Sequence, residues 1–449
     1  MSDRNERREF RRKRRIRNQI ISYSVMLIVL AAIVFGCVAG IRAASGAIQE
    51  QRAAKEESMQ AAIEASKAAE SQQAEEAVAQ LLELNTTEET TTEYTAEDAF
   101  QELVEDTVAG MTLEQKVAGL FFVTPEQLTG VSKVVQAGDG TREALTKYPV
   151  GGIIYFKQNI VSEDQIKEML SNTVSYSTFP IFLGVDEEGG KVARVADALN
   201  LENVGSMADI GDTGDIQAAY TANETIGKYL SSYGFNVDFA PVADVLTNED
   251  NTVIGDRAFS GDPQVASQMV ASAVQGLQSA GVSACLKHFP GHGDTEGDSH
   301  TGAATTERTK EEMQAAEFLP FQSGIEAGTD MVMVGHINAP SLTGGDNIPA
   351  SLSEEIITGV LRNELGYDGI VITDALNMAA ITDYYEADVA AIMALKAGAD
   401  MVLMPDQFEQ AYEGVLKAVQ DGTISEERIN DSLKRIYKVK LRDRMNQSE

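Results

Sequence analysis

Eight short apolar runs recur from residue 119 onward, a helix-like stretch separates each from the next, and most of the runs close on a polar or charged residue. Together these observations predict an α/β fold, a (β/α)8 barrel. The runs are GLFFVTP (119–125), VGGIIYF (150–156), FPIFLGVD (179–186), VDFAPVAD (237–244), VSACLKHF (282–289), MVMVGHI (331–337), GIVITDAL (369–376) and ADMVLMP (399–405). A sheet solvated on one face alternates apolar and polar residues, whereas these runs are nearly continuous. That pattern fits parallel strands covered by helices. Between them, SEDQIKEMLSNTVSYS and SEEIITGVLRNEL read as amphipathic helices opening on a serine cap. An open doubly wound sheet is the competing architecture.

The preceding residues have a different character. Residues 1–18 carry nine Lys/Arg against three Asp/Glu, and no charged residue occurs from Gln19 to Ile41. A run of that length suits the ~20 residues needed to span a hydrocarbon core. The basic flank predicts a cytoplasmic amino end, a single-pass anchor over 19–41 and the barrel domain outside the cell membrane. A cleaved signal peptide has a shorter apolar core, roughly 7–15 residues, and no small-x-small cleavage site stands out. A lipoprotein would use Cys37, but Phe35 fits poorly before it. Residues 42–96, rich in Ala, Glu, Gln and Ser before the polar tract NTTEETTTEYT, read as a partly helical stalk and linker. The barrel is assigned to 97–449.

Composition narrows the function. With 43% hydrophobic residues the chain can bury a large core, and its net charge of −33 argues against nucleic-acid binding. The two cysteines, Cys37 in the apolar span and Cys285 in a core strand, form no disulfide framework.

Only four histidines occur, and three of them lie within CLKHFPGHGDTEGDSH (285–300). In a barrel of this kind reactive side chains sit at the carboxyl ends of the strands. Asp186, Lys287, His288, His336 and Asp374 all close or follow apolar runs, so they converge on the mouth. Asp374 also reads as a helix N-cap, although its position at the mouth favours a nucleophile or base. Asp298 and His300 are spaced so that a carboxylate can orient an imidazole for proton transfer. His292, Asp294, Asp298 and His300 offer nitrogen and oxygen donors, but their spacing matches no zinc-protease or calcium-loop pattern. No metal or cofactor is expected.

The stretches KHFPGHGDTEGDSH, GVDEEGGKVAR, FAPVADV, VIGDRAF and ITDALNM together resemble the bacterial β-N-acetylglucosaminidases of glycoside hydrolase family 3, in the family's order and over roughly residues 100–440. The resemblance implies Asp374 as catalytic nucleophile and His300, paired with Asp298, as general acid/base. It implies Asp186, Arg194, Arg257, Lys287 and His288 as contacts to the terminal sugar, with His336 lining the same pocket. Lys191 stands where the family more often has arginine, exchanging a planar fork for a point charge. The expected activity is retaining exo-hydrolysis of terminal β-linked GlcNAc from cell-wall or chitin-type oligosaccharides. A phosphorylase or broader β-glycosidase on the same site, and an inactive sugar-binding wall protein, are the rival readings.

Overall fold

The structure is a computed structural model that describes residues 95–446 apart from 296, 298–301 and 303. The predicted basic segment, membrane span and nearly all of the stalk therefore lie outside the described residues. Among the described residues no helix is long and apolar enough to cross a membrane.

All eight apolar runs contain a strand of one parallel sheet. These are β1 (Phe121–Val123), β2 (Gly152–Ile154), β3 (Phe182–Val185), β4 (Val237–Asp238), β5 (Ser283–Phe289), β6 (Met331–Val334), β7 (Ile370–Thr373) and β8 (Val402–Leu403). Neighbours in sequence are neighbours in space from β1 to β7, and β8 lies beside β1. A parallel bridge between Ile372 and Met401 brings β7 against β8, and the Thr373 N–H donates to the Met401 carbonyl at 3.1 Å. The sheet is thus a nearly closed eight-stranded barrel, not an open doubly wound sheet.

Large rings fill its interior. Phe122 stacks near-parallel on Phe182 at 6.4 Å and meets Phe239 edge-on at 5.2 Å. Room for Phe122 comes from its neighbours: a Cβ on Gly152 would lie 2.5 Å from the ring, and one on Gly184 2.8 Å. Glycine is required there because interiors are packed without slack.

Helices alternate with the strands as the periodicity predicts. Ser162 caps the helix Glu163–Tyr176 by accepting from the Gln165 N–H. The stretch SEEIITGVLRNEL departs from expectation, because residues Glu355–Glu364 wind as a wider π-type helix. Its end shows the wider turn directly, with the Leu365 N–H bonded to the Val360 carbonyl five residues back.

Candidate active site

The sequence GVDEEGG leaves β3 at the barrel mouth and turns its three acids in different directions. Asp186 and Glu188 both reach the Lys287 ammonium, Oδ1 at 2.7 Å and Oε1 at 2.6 Å. Glu188 also receives the Arg257 guanidinium as a fork, with Nε and Nη2 each 2.7 Å from a carboxylate oxygen. Two anions and two cations thus compensate one another in a site where Glu188 and Lys287 are almost fully buried, as buried charge requires. Burial alone would raise the Glu188 carboxyl, but Lys287 and Arg257 outweigh it and hold it well below the usual carboxylate range. Burial likewise opposes the Lys287 charge, and Asp186 and Glu188 outweigh it, keeping the ammonium protonated.

Glu187 points the other way. Its carboxylate accepts from the Val195 and Ala196 N–H groups at 2.6 and 2.8 Å and from the Tyr229 hydroxyl at 2.8 Å. It anchors the segment carrying Arg194, whose Nε is buried without a hydrogen-bond partner among the described residues. The Glu187 N–H donates in turn to buried Asp238 at 2.9 Å.

A second cluster surrounds His288. Asp244, fully buried at the end of the VDFAPVAD run, lies 2.7 Å from the His288 Nδ1 and accepts the N–H groups of His288 and His292 at 3.2 and 2.7 Å. Burial would raise its carboxyl, but His288 and His292 outweigh this and lower it. The other ring nitrogen of His288 faces the Arg257 Nη2 at 3.4 Å. Arg257 therefore joins the two clusters.

Asp374 follows β7 directly. Its N–H donates to the Val334 carbonyl of β6 at 2.8 Å, and its Oδ1 accepts from the Ala375 N–H at 2.7 Å. The local bond resembles the cap reading, yet the carboxylate remains half-buried at the mouth. His336 is 1% exposed. Its Nε2 donates to the Ala375 carbonyl at 2.9 Å and its Nδ1 lies 2.7 Å from the Ser351 hydroxyl. The contacts to Ala375 and Ser351 make His336 a brace behind the Asp374 turn.

The ends of β5, β6 and β7 lie side by side on this rim. From β5 the chain leaves through Gly291–Thr295 and returns at Ala304–Thr305, which pairs in parallel with Ile337–Asn338 just beyond β6. Gly293 is required by contact, since a Cβ there would fall 1.8 Å from the Val245 carbonyl oxygen. Asp294 ties the two arms together, accepting from the Thr306 hydroxyl at 2.9 Å and pairing with the Arg308 Nε at 3.1 Å. The expected acid/base pair, Asp298 and His300, lies between these arms and outside the described residues. His292 and Asp294 turn to different partners, the His292 Nδ1 to the Thr295 hydroxyl at 2.6 Å.

The structure brings Asp186, Arg257, Lys287 and His288 into one connected network, with Arg194 and Asp374 on the same rim. Sequence reasoning assigned no role to Glu188 or Asp244. Both stand inside quoted motifs, DEEGG and FAPVAD, but nothing in their spacing says which cation either would meet.

A nearly closed parallel barrel with charged side chains gathered at the strand ends defines a class of α/β barrel with its site at the mouth. The profile of the glycosyl hydrolase family 3 N terminal domain matches residues 112–439, and the chain belongs to that family. It is 37% identical over 329 residues to a beta-hexosaminidase A of Pseudoalteromonas piscicida, a match covering 67% of this chain and 54% of that protein. A beta-hexosaminidase of Nitrosomonas eutropha is 34% identical over 59% of this chain and 76% of its own length. Among solved structures, a glycoside hydrolase family 3 beta-N-acetylglucosaminidase from Paenibacillus sp. str. FPU-7 superposes with a TM-score of 0.69 at 37% identity, covering 75% of this chain and 64% of that one. The chain thus spans little more than half of the Pseudoalteromonas relative.

Proposed function

We propose that the chain is a retaining exo-β-N-acetylglucosaminidase acting on cell-wall or chitin-type oligosaccharides. The observation that carries the reading is Asp374, a carboxylate held at the end of β7 on the rim shared with the Asp186–Lys287–Glu188–Arg257 network. In the first step the Asp374 carboxylate attacks the anomeric carbon while His300 gives a proton to the departing glycosidic oxygen. In the second, His300 takes a proton from water, which attacks the glycosyl ester and regenerates the Asp374 carboxylate. Asp298 orients His300 in both steps. Asp186, Arg194, Lys287 and His288 bind the terminal sugar. Family membership and the names of the relatives support the hexosaminidase class.

We further propose that the apolar run 19–41 anchors the protein in the membrane with the barrel outside. The support is sequence alone, the basic flank before a span of sufficient length.

The test is turnover of aryl β-GlcNAc and aryl β-glucose by the wild-type, Asp374→Ala and His300→Ala proteins. Asp374→Ala is expected to lower kcat by roughly 10⁴-fold or more, as for other covalent nucleophiles. His300→Ala is expected to harm substrates with poor leaving groups far more than activated ones. Wild-type rates in Asp374→Ala, or a preference for aryl glucose, would sink the reading.

A further inference from the structure

A groove opens at the mouth between the residues after β6 and those after Asp374, and none of the roles above uses it. It encloses about 420 Å³, within the ~300–1,000 Å³ typical of small-molecule sites. His336 lies in its wall and holds the Ala375 carbonyl beside Asp374, so the groove adjoins the seventh strand end.

Its walls have a distinct chemistry. One is aromatic, formed by Tyr384 and Tyr385 after the short helix Ala379–Thr382. Tyr384 is 68% exposed, a large ring face left to water beside a cavity. The other carries the Asn338 and Asn347 amides and the Glu307 carboxylate. Among the described residues the lining holds no lysine or arginine, and the acids Asp383 and Glu386 flank the two tyrosines in sequence.

This combination suits a pyranose ring. The C–H face of a sugar covers an aromatic ring, and side-chain amides offer both a donor and an acceptor to hydroxyl or acetamido groups. A surface with carboxylates and no cation accepts a neutral ring and repels a carboxylate or phosphate.

We infer that this groove is the subsite for the leaving-group sugar, that it takes a neutral N-acetylhexosamine ring stacked on Tyr384, and that Glu307 disfavours leaving sugars bearing a carboxylate. The inference rests on the glycosidase reading and adds the class of leaving group to it.

The experiment compares kcat/KM for chitobiose, for methyl β-GlcNAc and for GlcNAc β-linked to muramic acid, in the wild type and in Tyr384→Ala, Tyr384→Phe and Glu307→Gln. In Tyr384→Ala the chitobiose-to-methyl ratio falls about tenfold, the loss expected for one aromatic contact, and Tyr384→Phe restores it. In Glu307→Gln the ratio of muramic-acid substrate to chitobiose rises about threefold, the scale of one exposed charge contact. An unchanged chitobiose-to-methyl ratio in Tyr384→Ala overturns the subsite, and an unchanged muramic-to-chitobiose ratio in Glu307→Gln overturns its selection by charge. A wild-type protein that cleaves none of the three overturns the glycosidase reading itself. The subsite is then read from chitobiose affinity by calorimetry, where equal binding by wild type and Tyr384→Ala overturns it.

Discussion

Asp244 gathers three N–H groups at one buried carboxylate, from the His288 ring, the His288 backbone and the His292 backbone. No water is needed to complete it, and no rotation of His288 is available without breaking a charge-assisted bond. The geometry makes Asp244 a positioning residue for His288 and, through the Arg257 contact, for the whole charge network. Asp244→Asn replaces one acceptor oxygen with a donor, so one of the three N–H groups faces another N–H. Hydrogen bonds to charged groups are worth ~1.5–3 kcal/mol, so kcat/KM for aryl β-GlcNAc should fall about 10–100-fold, mainly through KM. The double change with His288→Ala should cost little more than His288→Ala alone. Steady-state kinetics of the three variants decide it, and additive losses would contradict a role exerted through His288.

At the scale of elements, the described residues on either side of 296–303, between β5 and the next helix, are tied to one another. Asp294, Thr306 and Arg308 link them, and Arg308 also approaches the buried Glu317 at 3.4 Å. Burial pushes the Glu317 carboxyl up to about 6; Arg308 opposes that rise, Asp294 adds to it and the Thr247 hydroxyl lowers it. A carboxyl raised in the folded state favours the fold when protonated, so this contribution is present below the ordinary value of 4.5 and lost as pH rises through 6. The loss is on the order of 1–2 kcal/mol. Denaturant unfolding of wild type and Glu317→Gln should therefore diverge between pH 4.5 and 6.5, the wild type losing stability relative to the variant. Parallel pH profiles would contradict it. These side-chain links were not legible in the sequence, nor was the fit of Gly293 against the Val245 carbonyl. Helix caps such as Ser162 were legible, because the cap and its helix are adjacent in the chain. The π winding of Glu355–Glu364 was not, because its serine-led amphipathic pattern is shared with an α-helix.

For the whole molecule, the eight strands could be read because each is a local apolar run and parallel burial leaves a local signature. The order of strands around the barrel follows from short right-handed connections. Partners across the mouth cannot be read that way. Glu188, Arg257 and Lys287 are separated by 69 and 30 positions in the chain, and the side-by-side placing of β3, β4 and β5 in the sheet brings them together. The same order sets Asp374, after β7, two strands from the end of β5, and the proposed chemistry depends on that spacing. The direct measurement is mass spectrometry of the protein digested after reaction with a slow, activated 5-fluoro β-GlcNAc substrate. A single sugar adduct on the peptide containing Asp374 is the predicted result. An adduct on another residue, or turnover with inversion at the anomeric carbon and no adduct, would contradict it.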